Sequence, residues 1–170
     1  MNFYTADWHL FHNNIIHMKD LHRKFTSMSH MENTIKKNIN EVVKKEDHLY
    51  IIGDLAWLRP DQKMRLHPIL EKINGIKHLI LGNHDELNPF DYENAGITSI
   101  HTSLIVNDRI LCHDPAKSCV DRTRTWLVGH VHTLFTVQKN CINVGVDVWD
   151  FKPLSEIKIE EVEKFLPRTI

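Results

Sequence analysis

The sequence predicts an α/β fold in which two packed β-sheets are flanked by helices. Two observations carry that expectation. Short apolar runs alternate with longer polar-faced stretches through the front half of the chain, and the back half is mostly strand with tight connections such as Asn107-Asp108. The 170 residues suffice for one sizeable core and fall short of two ordinary domains, so a single domain over 1–170 is expected.

Phe3 to Ala6 reads as the first strand, short, apolar and bounded by the polar Asp7. Ser29 with Glu32 three residues on is a capping box that starts a helix, with Met31, Ile35, Ile39, Val42 and Val43 on its inner face. His48 to Ile52 is the second strand. A second helix is expected from about Asp61 to Ile73, ending near Gly75 and kinked or split by Pro68. Lys77 to Leu81, Thr98 to Val106, Arg109 to Cys112, Thr125 to Val128, Leu134 to Gln138 and Cys141 to Val144 complete the strands.

Bulk properties narrow the function classes. A net charge of -1 gives no broad cationic field of the kind that drives non-specific nucleic-acid binding. The run Met1 to Asp7 lacks a basic region followed by an apolar one, and no apolar segment approaches membrane-spanning length, so a cytoplasmic protein with no membrane partner is expected. Cys112, Cys119 and Cys141 are odd in number and lack CxxC spacing, which argues for reduced, buried thiols rather than a disulfide framework or thiolate cage.

The chemically loaded residues follow the strands. Asp7 and His9 come after the first, two positions apart, and in extended backbone would face one side and grip one cation. Gly53-Asp54 follows the second, with glycine allowing close approach and the carboxylate able to bridge two cations. Gly82-Asn83-His84-Asp85 follows the third and offers an oxygen ligand, an imidazole, and a carboxylate to hold that imidazole's other nitrogen. His113-Asp114 and Gly129-His130-Val131-His132 follow later strands. A single Gly-Asp pair is usually a turn; five such clusters in order point to a metal site.

This series resembles the calcineurin-like metallophosphoesterase superfamily over residues 7 to 132. Phe11-His12-x-Asn14-Ile15-Ile16 and Asn143-Val144-Gly145-Val146-Asp147-Val148-Trp149-Asp150 resemble its small bacterial and phage members. The resemblance implies a four-layer α/β/β/α sandwich of two mixed sheets, with metals at the strand carboxyl ends. It also implies one metal held by Asp7, His9, Asp54 and His132, and a second by Asp54, Asn83, His113 and His130. Imidazole and oxygen ligands without thiolate suit two divalent ions, manganese favoured over iron, nickel or zinc. The implied reaction is hydrolysis of a phosphate ester, favoured as a phosphodiester of a nucleotide or nucleic-acid end, by a hydroxide held between the metals. His84 would donate to the phosphoryl group or leaving oxygen, with Asp85 favouring its cationic form. A phosphomonoesterase on the same site and a non-catalytic, metal-binding scaffold are the alternatives.

Other residues read as structural. His17, His22, His30, His48, His67, His78 and His101 are expected at the surface or in hydrogen-bonded interior positions, while His12 follows the first cluster closely enough to lie near the site. Trp8 and Trp57 each adjoin an expected ligand and could wall the pocket. Arg23 and Lys24 could meet phosphate, although an isolated basic pair is usually solvated.

Overall fold

The computed structural model describes residues 1–119 and 121–166; the side chain of Cys119 falls outside the described ones. In chain order the strands are β1 (Asn2–Thr5), β2 (His48–Ile52), β3 (Ile76–Ile80), β4 (Ser99–His101), β5 (Leu104–Val106), β6 (Arg109–Leu111), β7 (Trp126–Val128), β8 (Val137–Gln138), β9 (Cys141–Asn143) and β10 (Leu154–Ser155). The helices are α1 (Met28–Val42), α2 (His67–Leu70), α3 (Pro89–Asn94) and α4 (Glu156–Glu163). Sheet one has the order β10-β1-β2-β3-β4, with β1 to β4 parallel and β10 antiparallel. Sheet two has the order β5-β6-β7-β9-β8, with β6, β7 and β9 parallel between antiparallel edges. Two mixed sheets with helices make the expected α/β sandwich.

Strand alternation explains the layering. Along β1 and β2, Phe3, Leu49 and Ile51 face the helices, while Tyr4, Tyr50 and Ile52 face the second sheet. Sheet one is thus apolar on both faces, as a mainly parallel sheet must be. The helix-side core takes Met31, Ile35 and Ile39 from α1; the inter-sheet core joins Ile80 to Leu111, Leu127 and Ile142. The outer face of sheet two is capped more thinly, by a cluster of Cys112, Trp126, Val128 and Cys141 and by the single-turn segment Pro115–Cys119 packed on β7. Cys112 and Cys141 are free and buried, as expected.

Several boundaries differ from the sequence reading, each for a local reason. Helix α1 is capped by Ser27, whose extended backbone lets its side chain accept the His30 N–H at 3.1 Å. Ser29 lies inside the first turn, and Glu32 takes the Phe11 backbone N–H instead of closing a capping box. Val42 is 48% exposed, while Val43 is buried just beyond the helix. Pro68 does split the second helix, into a 3₁₀ stretch Pro60–Arg65 and the single turn α2, because proline fits only a first turn. The run Thr98 to Val106 bends at Thr102-Ser103, so β4 pairs in sheet one and β5 in sheet two. Of Leu134 to Gln138 only Val137–Gln138 pairs, at the sheet edge, and Leu134 is exposed.

The histidines read as structural on β2, β3 and β4 form a chain of contacts across sheet one. His48 Nδ1 lies 2.9 Å from His78 Nε2, and Ser99 Oγ joins His78 Nδ1 at 2.7 Å to His101 Nε2 at 2.9 Å. No described helix is long and apolar enough to cross a membrane.

Candidate metal centre

The parallel strands β1, β2 and β3 of sheet one and β6 and β7 of sheet two deliver their following residues to one edge of the sandwich. There an isolated bridge between Ala6 and Gly145 stitches the two sheets together. Ligand sites form outside strand carboxyl ends because loops can diverge there while the strands stay fixed. Asp7, Asp54, Asn83, His113 and His130 each follow one of these five strands.

The backbone between β1 and the first 3₁₀ turn is not extended, contrary to the premise for Asp7 and His9. Both take left-handed φ, 59° and 52°, as do Asp54 at 52°, His130 at 72° and His132 at 47°. Each such non-glycine residue costs on the order of 1–3 kcal/mol, and five of the twelve among the described residues are expected ligands. Pairing beyond the strands holds it in place: Asp7 N–H donates to the Gly53 carbonyl at 3.0 Å and His9 N–H to that of Asp54 at 2.9 Å.

All seven expected ligands converge. Ligand atoms of Asp7, His9 and His132 lie within 4.8 Å of one another, and so do those of Asp54, His113 and His130. Asp54 Oδ2 joins the two groups, standing 3.4 Å from His9 Nε2 and 3.4 Å from His113 Nε2. Asn83 Oδ1 completes the second group, 3.2 Å from His113 Nε2 and 2.8 Å from His130 Nδ1.

The donors fit cations. Both ring nitrogens of His9 are buried without a hydrogen-bond partner, an arrangement that costs roughly 1–3 kcal/mol per orphaned group and that coordination would offset. Burial pushes His9 down to about 3, so its ring is neutral and a lone pair is free at neutral pH. His113 Nδ1 donates to the Ile52 carbonyl at 2.9 Å, so Nε2, the nitrogen facing Asp54 and Asn83, is the one that would bind a cation once its proton leaves. Burial pushes Asp7 up to about 6 against the pull of His113 and His132. Burial also acts to raise Asp54, yet hydrogen bonding and charge from His113 and the His84 N–H hold it well below the carboxylate range. His113 opposes its own burial and rises to about 9, drawn by Asp54 and Asp7. Two buried carboxylates make this a place that favours positive charge.

Close approach explains the glycines. A Cβ on Gly53 would sit 2.2 Å from His113 Nδ1, and one on Gly82 would sit 2.3 Å from Asp54 Oδ1. Gly53 also has φ +82°. Gly53→Ala is therefore expected to displace the His113 ring and to destabilise the fold by roughly 2–3 kcal/mol, seen as a lower denaturation midpoint. An unchanged midpoint would mean that the loop yields freely.

His84 and its neighbours depart from expectation in part. The His84 N–H is tied to Asp54 Oδ1 at 3.0 Å, and its half-buried ring lies 5.6 Å from the ring of His9 and 4.4 Å from Trp57. Asp85 is not the partner expected for the His84 imidazole. Its carboxylate turns away and accepts backbone N–H groups of Gly82 and Asp54, both at 2.8 Å, and of Leu55 at 3.0 Å, bracing the β2 and β3 loops against each other. Burial raises Asp85 to about 6 despite those donors. Trp57 is 43% exposed and stacks on His12 at 4.4 Å, so both line the mouth. Trp8 is fully buried and donates to Thr5 Oγ1 instead of walling the pocket.

Arg23 is buried and does not face solvent or phosphate; Lys24 is exposed. Arg23 forks onto Asp147, Nε to Oδ1 at 2.7 Å and NH2 to Oδ2 at 2.8 Å, and Asp147 Oδ2 lies 2.7 Å from His132 Nδ1. Sequence reasoning assigned neither residue this place.

No family model matches the chain. An uncharacterized protein of Methanocaldococcus jannaschii is 30% identical over 168 residues, covering 94% of this chain and 89% of its own length. The gene 66 protein of Mycobacterium phage L5 is 24% identical, with 86% of each chain covered. The crystal structure of a protein of unknown function from Aquifex aeolicus superposes with a TM-score of 0.72 at 26% identity, covering 95% of this chain and 98% of that one.

Proposed function

The chain belongs to the same family as the uncharacterized Methanocaldococcus jannaschii protein, and we propose that it is a dinuclear metal-dependent phosphoesterase of the calcineurin-like kind, acting on phosphodiesters. The observation that carries this reading is the position of Asp54 Oδ2, 3.4 Å from an imidazole nitrogen of each group, which supports reading the two clusters as one centre for two ions. Asp7, His9, Asp54 and His132 would hold one ion and Asp54, Asn83, His113 and His130 the other, with manganese favoured for a mixed nitrogen and oxygen set. Divalent ions bound there supply Lewis-acid polarisation of phosphoryl oxygens and a nucleophile at neutral pH.

The chain's own groups do the rest. His84 stands at the mouth, where its ring can donate to a phosphoryl oxygen or pass a proton to the departing one; its backbone is pinned by Asp54, and Trp57 packs on its ring. Asn83 and His130 are exposed at the same edge, so the centre opens to solvent. An open mouth admits an ester substituted on two sides, which favours diesters such as cyclic nucleotides or nucleic-acid ends. A cytoplasmic setting belongs to the same proposal.

The test is turnover of bis-p-nitrophenyl phosphate against p-nitrophenyl phosphate by metal-stripped protein resupplied with manganese, nickel, zinc or magnesium. Manganese-dependent diester turnover is expected, with His84→Ala lowering kcat by about 10²–10⁴-fold while both ions still bind. Two bound ions and no turnover of either ester would defeat the proposal, and faster monoester turnover would replace its substrate class.

A further inference from the structure

Asp147 lies in the short turn Val146–Val148 that follows β9, and Arg23 lies in the loop before α1. Their side chains meet with no solvent exposure on either. A fully buried ion pair is weak evidence for stability, since well-packed apolar groups of similar volume commonly serve a fold as well or better. What apolar groups could not do is make the other contacts of this pair. Asp147 Oδ2 is shared between Arg23 NH2 and His132 Nδ1, at 2.8 and 2.7 Å. The same guanidinium donates to the Asp7 carbonyl at 2.7 Å and to the Trp8 carbonyl at 3.2 Å. Those carbonyls belong to the segment in which Asp7 and His9 take left-handed φ.

We infer that Asp147 and Arg23 are positioning residues for the ion site of Asp7, His9 and His132: Asp147 orients the His132 ring and Arg23 fixes both that carboxylate and the Asp7-Trp8-His9 backbone. The inference rests on the two-ion reading above. With His132 Nδ1 engaged by Asp147, Nε2 is left as the ligand atom of that ring, on the side of Asp7 and His9. Arg23 then couples two of the three ligands through backbone and the third through Asp147. Among the described residues the guanidinium's other contacts are Met31 Sδ at 3.5 Å and the Phe151 ring, neither of them a ligand, so the second site of Asp54, Asn83, His113 and His130 should be indifferent to the pair.

The experiment is calorimetric titration of Mn²⁺ into metal-stripped protein, with electron paramagnetic resonance to distinguish paired from isolated Mn²⁺. Wild type, Asp147→Asn, His132→Ala, their combination, and the apolar pair Arg23→Met with Asp147→Leu are compared, each first melted without metal. Asp147→Asn is expected to weaken one of the two sites by about 10–100-fold and leave the other unchanged, with the paired signal replaced by an isolated one at limiting metal. In the His132→Ala background it should cost nothing further, because its effect runs through that ring. The apolar pair should fold and still lose that site. Wild-type affinity at both sites in Asp147→Asn or in the apolar pair, or additive losses with His132→Ala, would overturn the inference and leave the two-ion reading intact. Failure of wild type to bind two ions would overturn both.

Discussion

Asp54→Asn is expected to remove both ion sites at once and to lower diester turnover by roughly 10³-fold or more, a larger loss than any other single ligand should cause. The reason is geometric. One oxygen, Oδ2, faces His9 Nε2 and His113 Nε2 at 3.4 Å each, while Oδ1 accepts the His84 N–H at 3.0 Å. An amide of the same shape has only one oxygen for these two tasks, and it brings no charge to a centre whose other buried carboxylate is Asp7. His132→Ala and His113→Ala should each weaken only the site they belong to. Metal content per folded chain, measured beside turnover, decides the matter: two tightly held ions in Asp54→Asn would mean that Asp54 is not the bridge.

The proposed ligands are legible in the chain because each follows a parallel strand, and parallel strands bring their carboxyl ends to one edge whatever lies between them. Sequence neighbourhood misled where it stood in for space. Asp85 adjoins His84, which suggested a pair, yet the tight loop turns its carboxylate back onto the Gly82, Asp54 and Leu55 amides. Asp147 and Arg23 are 124 residues apart and meet only because β9 and the loop before α1 end on the same edge. Short elements fared worst for a related reason. Helix α3 spans six residues and α4 eight, too few turns for periodicity to speak, although Asn88-Pro89 and Ser155 carried capping chemistry that marks both starts. The transfer from β4 to β5 is invisible to strand alternation, which reports that a run is extended and says nothing about which sheet it joins.

Mn²⁺ should raise the melting temperature of the stripped protein, and by more at alkaline than at acid pH. At about a thousand times the dissociation constant, binding to the folded state alone contributes about 4 kcal/mol. For a domain of this size each 1 kcal/mol moves the midpoint by about 2–4 °C, so a rise of about 8–16 °C is expected. The pH dependence follows from the ligands themselves. Asp7 is raised from 3.8 to about 6 in the fold, so its protonation stabilises the stripped protein fully below 3.8, and that contribution is lost as pH rises through 6. His113 is raised from 6.5 to about 9, so its share is complete below 6.5 and lost as pH rises through 9. Both protons must leave before these atoms can bind a cation, and they compete with Mn²⁺ throughout that window. His9, held down at about 3, offers no competing proton there. The stripped protein therefore loses these two contributions as pH rises while the loaded one gains affinity, and the gap between their melting curves should widen from about pH 5.5 to about pH 8.5. Asp54→Asn melted in parallel should show almost none of this gap. An equal shift at both pH values, or one that shrinks as pH rises, would mean that Mn²⁺ binds somewhere other than the Asp7 and His113 centre.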